Sequence, residues 1–152
     1  QSGGGISFNG DTAAANALSD YEEGTFTAVL GGATNHSTYN VSGTSHYTKI
    51  GNVCHCHIIF SNLNLDDNAS GSVKITGLPF TEGGVEYCTT TNHYMMQVGF
   101  NTGYIQSWYV VNGGTYIQGI ESINASSWAG WGASNFTNSG MYLRIGLTYK
   151  TA

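Results

Sequence analysis

The sequence predicts an all-β domain, an antiparallel β-sandwich or jelly-roll-like head, and three observations predict it. The chain of 152 residues holds 22 glycines and only 9% charged residues, while aromatics reach 12%. Glycine with abundant Ser, Thr and Asn supplies turns, and aromatic and β-branched residues supply strands, which disordered chains lack. The clearest strand, 141–149, alternates with period two. Met141, Leu143, Ile145, Leu147 and Tyr149 point one way, and Tyr142, Arg144, Gly146, Thr148 and Lys150 the other, which marks a strand with one buried face. Nowhere does a useful length of chain repeat apolar residues at helical spacing; only residues 11–18 (DTAAANAL) favour a turn or two of helix.

The elements follow in order. Residues 6–8 (ISF) form a short strand after a glycine-rich start, and 25–30 (TFTAVL) a second. Gly51-Asn52 separates a strand at 46–50 (HYTKI) from a longer one at 53–61 (VCHCHIIFS). Residues 72–76 (SVKIT) end at Gly77, and a lone Pro79 sits in the loop beyond, where it breaks no ladder. Strands at 85–90, 93–100, 104–111 and 115–120 follow. Asn101-Thr102-Gly103 and Asn112-Gly113-Gly114 read as hairpin turns, because Asn and Gly tolerate the positive φ such turns demand. They predict a meander over 93–120. About ten short strands with no internal repeat point to a sandwich rather than a propeller or solenoid. The segments 31–45 and 122–140 are irregular and longer than ordinary connections, and long loops are functional more often than short ones.

Charge and cysteine usage narrow the function. Four basic residues stand against nine acidic ones, and Lys49, Lys74, Arg144 and Lys150 are scattered, so the clustered basic face that nucleic acid needs is missing. No run approaches the ~20 apolar residues of a membrane-spanning helix, which argues against membrane insertion. The start Gln1-Ser2-Gly3-Gly4-Gly5 lacks the form of a signal peptide and reads as the continuation of something longer. Cys54, Cys56 and Cys88 are too few, and odd in number, for a disulfide scaffold. They read as reduced core residues of a protein assembled in a reducing cytoplasm.

Three phrases carry a family resemblance. The run Ser19-Asp20-Tyr21-Glu22-Glu23-Gly24-Thr25-Phe26-Thr27 resembles the DDYEEGTWTP signature of phage tail-fibre and virion structural proteins. Tyr47-Thr48-Lys49-Ile50-Gly51-Asn52-Val53 resembles the YTKIGNVV strand that follows in that family, and Ile75-Thr76-Gly77-Leu78-Pro79-Phe80 its ITGLPF segment. Ala28 stands where Pro is frequent and Phe26 where Trp is common, and the Cys54-His55-Cys56-His57 run is unusual at its place. The resemblance implies a homotrimeric sandwich head (19–152) on an upstream fibre stalk, with 1–18 as the end of that stalk or a strap across the subunit interface. It also implies a place in the virion, assembly in the host cytoplasm, and attachment to a bacterial surface glycan or outer-membrane protein.

Candidate sites follow from side-chain chemistry. Trp128, Trp131 and Phe136 lie in a Gly/Ser/Asn-rich loop, with Asn124 and Asn135 as polar companions; Tyr104, Trp108, Tyr109 and Tyr116 lie in the meander. Exposed aromatics offer a sugar ring or a protein partner a large rigid surface, and recognition loops share this composition. Trimer contacts or the core are the competing fates of these side chains. His55 and His57 share one strand face, and a threefold axis would gather six such imidazoles around a transition metal, as H-x-H motifs do in some phage fibres. The competing reading is hydrogen bonding on a polar face, with no cofactor. Asp66-Asp67-Asn68 lacks the spacing of a calcium loop and reads as a turn. No Ser-His-Asp order, G-x-S-x-G, Walker loop or H-E-x-x-H is present, so the expectation is a receptor-binding module, not an enzyme. Two alternatives remain. One is a head-fibre, decoration or baseplate component without a receptor. The other is a glycan depolymerase using Asp20, Glu22 and Glu23, or Glu82 with Glu86, as its carboxylate pair.

Overall fold

The computed structural model describes residues 20–32, 38–39, 43–65, 70–84, 90–96, 98–99, 104–122, 127–136 and 140–152. The expected stalk or strap at 1–18, the strand at 6–8, the helical turn at 11–18, the Asn101-Thr102-Gly103 turn, the Asp66-Asp67-Asn68 turn, Glu86, Cys88 and Asn124 lie outside them.

The all-β sandwich is what the structure shows. Its strands are β1 (Tyr21–Phe26), β2 (Val29–Gly32), β3 (Thr38–Tyr39), β4 (Ser45–Ile50), β5 (Val53–Leu65), β6 (Val73–Thr76), β7 (Thr90–Met96), β8 (Ile105–Val110), β9 (Tyr116–Ser122), β10 (Ala129–Gly130) and β11 (Met141–Lys150). They form a six-stranded sheet in the order β1-β4-β5-β11-β7, with β3 on β5, and a five-stranded sheet in the order β10-β9-β6-β2, with β8 on β9. Every pairing is antiparallel.

One core lies between the sheets. The large sheet contributes Cys54, Cys56, Ile58, Phe60, Leu143, Ile145, Leu147 and Tyr149, and the small sheet Leu30, Val73, Ile75, Trp108, Val110 and Ile117. The expected alternation of β11 holds, since its odd-numbered residues from Met141 to Tyr149 are all buried. Cys54 and Cys56 are free and buried, as expected, with sulfurs 3.5 Å apart. The hydrogen bond with Cys54 and burial together push the Cys56 thiol up, which keeps it protonated.

Two expectations about strands need correction. Residues 25–30 are not one strand: β1 ends at Phe26 in the large sheet and β2 begins at Val29 in the small one. The chain changes sheet at Thr27-Ala28, beneath Gly77. That glycine has φ +90°, and a Cβ on it would lie 2.2 Å from the Thr27 carbonyl oxygen, so both conformation and space require glycine there. Nor is 93–120 one meander. β7 pairs with β11 in the large sheet, whereas β8 pairs with β9 in the small one. Only the β8–β9 hairpin over Asn112-Gly113-Gly114 remains, with Gly113 at φ +65°. A turn signal shows where the chain reverses, not which sheet receives it.

β5 also runs four residues beyond the expected end at Ser61. Opposite the step from Met141 to Leu143, its partners move from Leu63 to Phe60, and Asn62 in the extra position has φ +52°. This is a β-bulge, and asparagine tolerates the left-handed conformation it needs.

Candidate functional site

The small sheet turns outward the side chains that its core residues leave on the other side. Tyr109 lies opposite Gln118, and Thr76 opposite Tyr116. Trp128, just before β10, is 53% exposed. Its indole meets the Tyr109 ring edge-on, with centroids 6.1 Å apart. Lys74 reaches over the Tyr116 ring, 6.0 Å from its centroid. Tyr104 and Ile105 are exposed where β8 begins. The structure thus brings Trp128 and Tyr109 together into an aromatic ledge on the outer small sheet, with Tyr116 on the same sheet. An aromatic ledge beside amide and amine donors can hold a sugar ring by stacking and hydrogen bonding.

Three of the expected receptor residues are core residues instead. Trp108, Trp131 and Phe136 are buried and pack on one another, with ring centroids 5.7 Å (Trp108–Trp131), 6.1 Å (Trp108–Phe136) and 4.7 Å (Trp131–Phe136) apart. The backbone explains the burial of Trp131. Its N–H donates to Gly119 O at 2.9 Å, and its carbonyl accepts from Val73 N at 2.7 Å. Gly119 makes the room, since a Cβ there would stand 2.5 Å from Val73 Cγ1 and 3.3 Å from Trp131 Cβ. The 3-10 turn Ala133–Phe136 then carries Phe136 inward. Asn135 is half-buried, and its carbonyl accepts from Gly99 N at 2.7 Å, so its backbone ties the turn to the segment after β7.

His55 and His57 lie on the exposed face of the large sheet. Their Nε2 atoms are 2.8 Å apart, and His55 Nδ1 is 2.8 Å from Thr148 Oγ1. Burial, and then the neighbouring His57, lower the His55 pKa. Among the described residues no group of three or more His, Cys, Asp or Glu gathers to hold a metal. The pair is a hydrogen-bonded dyad, and a metal there has to draw its other ligands from elsewhere.

The carboxylates considered for catalysis are tied into the fold. Glu82 is buried, and its Oε2 accepts Gly84 N and Gly113 N, each at 2.9 Å, which pins the tip of the β8–β9 hairpin. Glu22 accepts the Tyr47 hydroxyl at 2.5 Å, Glu23 the Tyr21 hydroxyl at 2.8 Å, and Asp20 pairs with Lys49. These contacts are what the family-like DYEEGTFT phrase does here: it locks β1 onto β4 and its own strand entry. Among the described residues no helix is long and apolar enough to cross a membrane.

No family model matches the chain. A stretch of 71 residues, 47% of the chain, is 37% identical to a capsule KN4-specific depolymerase of Klebsiella phage K64-1 and covers 10% of that protein. The matched stretch therefore spans about a tenth of the length of that curated relative. In fold, 87% of the chain superposes on 24% of the crystal structure of the Dettilon tailspike protein (gp208), with a TM-score of 0.70 at 16% identity. The sequence likeness is thus to part of a phage depolymerase, and the fold likeness to part of a tailspike protein. They overturn the expectation of a module that is not an enzyme, because the sequence match is to a capsule depolymerase.

Proposed function

We propose that this chain is a glycan-contacting domain of a trimeric phage tail protein that degrades capsular polysaccharide. The domain holds the polymer against the outer small sheet while the whole protein cleaves it. The observation that carries this reading is the Trp128–Tyr109 ledge, a half-exposed indole propped on a tyrosine edge in a domain of very low charge. The similarity to a capsule depolymerase supports polysaccharide as the ligand, and the tailspike-like fold supports a place in the virion tail. Three copies present three ledges, so contacts that are weak singly add through avidity. A trimer has three times the 16.1 kDa of one chain, about 48 kDa.

The test is binding of the purified chain to encapsulated cells and to cells stripped of capsule. The expected result is capsule-dependent binding that Trp128→Ala weakens about tenfold, as stacking contacts worth ~1–2 kcal/mol require. A structural part of the particle without a receptor gives equal, low binding to both. Capsule-dependent binding that survives Trp128→Ala moves the site off the ledge.

A further inference from the structure

The large sheet carries a groove on its outer face, which the ledge does not involve. Reading outward along β11, the row is Tyr142, Arg144, Gly146, Thr148 and Lys150. Gly146 alone has no side chain, and it lies mid-sheet between His57 of β5 and Asn92 of β7. The gap opens a groove of about 400 Å³ lined by His57, Ile59, Asn92, Tyr94, Arg144 and Gly146. It continues toward His55 and Thr148 as a smaller hollow of about 190 Å³. The larger part falls within the ~300–1,000 Å³ of small-ligand sites.

The walls suit a sugar. Tyr94 is 60% exposed, and among the described residues its hydroxyl meets the Met96 sulfur of its own strand, at 3.9 Å. Asn92 Oδ1 accepts the Gly146 N–H at 3.1 Å. That bond fixes the amide, and among the described residues nothing takes its two N–H donors. A Cβ at Gly146 would stand 2.2 Å from Asn92 Oδ1, so the glycine is what lets the amide lie over the strand.

Arg144 adds charge. Its guanidinium donates to the carbonyl oxygens of Phe60 and Leu143 and to Ser61 Oγ, and it stands 5.9 Å from the Tyr142 ring centroid. All of these partners are neutral. Among the described residues no carboxylate pairs with Arg144, although the chain carries a net charge of −5. A half-buried guanidinium held by neutral partners, with no carboxylate paired to it among the described residues, is suited to receive a carboxylate through its remaining N–H donors.

We propose that this groove binds a carboxylate-bearing saccharide, a uronate residue of a bacterial polysaccharide, with Arg144 taking the carboxylate, Asn92 the hydroxyls and Tyr94 the ring face. The site is on the sheet opposite the Trp128 ledge and stands or falls separately from it.

The experiment uses an array of bacterial oligosaccharides printed in pairs, each acidic sugar beside its carboxyl-reduced form. The wild-type chain is expected to bind acidic members at least tenfold better than their reduced partners. Arg144→Gln removes that preference, Arg144→Lys keeps part of it, and Tyr94→Ala weakens both forms together. Arg144→Gln also loosens Phe60 and Ser61, so thermal melts accompany it, and the exposed Tyr94→Ala provides a variant without that burden. The proposal is overturned if no acidic sugar binds, if reduced forms bind equally, or if the preference survives Arg144→Gln. Displacement by inorganic phosphate as effective as by the free sugar acid also overturns it, because the groove is then a general anion site. So does light scattering in which Tyr94→Ala breaks an oligomer, since the groove is then a contact between subunits. A chain that binds capsule through Trp128 yet shows no acid preference sinks this inference alone.

Discussion

Two tryptophans three positions apart, Trp128 and Trp131, have opposite roles, and truncating each to alanine separates them. Trp131 is fully buried and meets both Trp108 and Phe136 ring to ring. Removing a buried tryptophan costs about 3–5 kcal/mol, and its two ring pairs place Trp131→Ala in the upper part of that range. Each 1 kcal/mol moves the midpoint of a domain this size by about 2–4 °C, so the melting temperature falls by roughly 10–15 °C. Stability of about 5–15 kcal/mol leaves the variant folded at low temperature in all but the lowest part of that range. Trp128 is half-exposed and leans on Tyr109 alone among the described rings. Trp128→Ala therefore costs about 1 kcal/mol or less while capsule binding drops. The assay is urea denaturation of both variants at one pH, with cell binding measured in parallel. A Trp131→Ala chain that loses less than about 1 kcal/mol, or a Trp128→Ala chain that loses as much as its neighbour, refutes the assignment of core and ledge.

Other substitutions test the remaining contacts. Gly77→Ala forces a Cβ against the Thr27 carbonyl at φ +90° and destabilises by about 1–3 kcal/mol, whereas Gly51→Ala, at φ +57° with open space around it, costs about 1 kcal/mol or less; chemical denaturation of the pair checks the contrast. Glu82→Gln keeps an acceptor but removes the charge that holds Gly84 N and Gly113 N, which lowers stability by about 1.5–3 kcal/mol, with hydrogen exchange rising first at the β8–β9 turn. Burial depresses the pKa of His93, and burial with His57 depresses that of His55, below the ordinary 6.5. The unfolded chain then takes up protons before the folded one does. Stability is full above about pH 6.5 and falls as pH drops below it toward the folded values, and His93→Gln flattens the melting-temperature profile between pH 7.5 and 5.5.

What could be read in advance was what depends on near neighbours. The alternation in β11 and the burial of Cys54 and Cys56 follow from a period of two. The Asn112-Gly113-Gly114 turn follows from the φ values those residues tolerate. The burial of Trp131 depends on Gly119, a residue on another strand whose missing side chain makes the space. The composition of the segment around Trp131 is that of a recognition loop, and nothing local in it signals a core position. The switch of β7 and β8 between sheets is likewise a tertiary decision. The groove at Gly146 was hidden for the same reason: a glycine in an exposed row becomes a hollow only once His57 and Asn92 flank it.

The place of β11 sets a timetable for the molecule's birth. β1, β4 and β5 are neighbours in sequence and can pair as they leave the ribosome, but Thr148 meets His55 only across 93 residues of chain. Until β11 arrives, β5 and β7 each present an open edge of unpaired backbone, and β5 offers the apolar Ile58 and Phe60 besides. Such edges recruit other strands, including those of a second nascent copy. Closure of the large sheet is thus a late, non-local and slow event. Ribosome-arrested chains lacking β11 should remain protease-sensitive, then become resistant together once the strand is released.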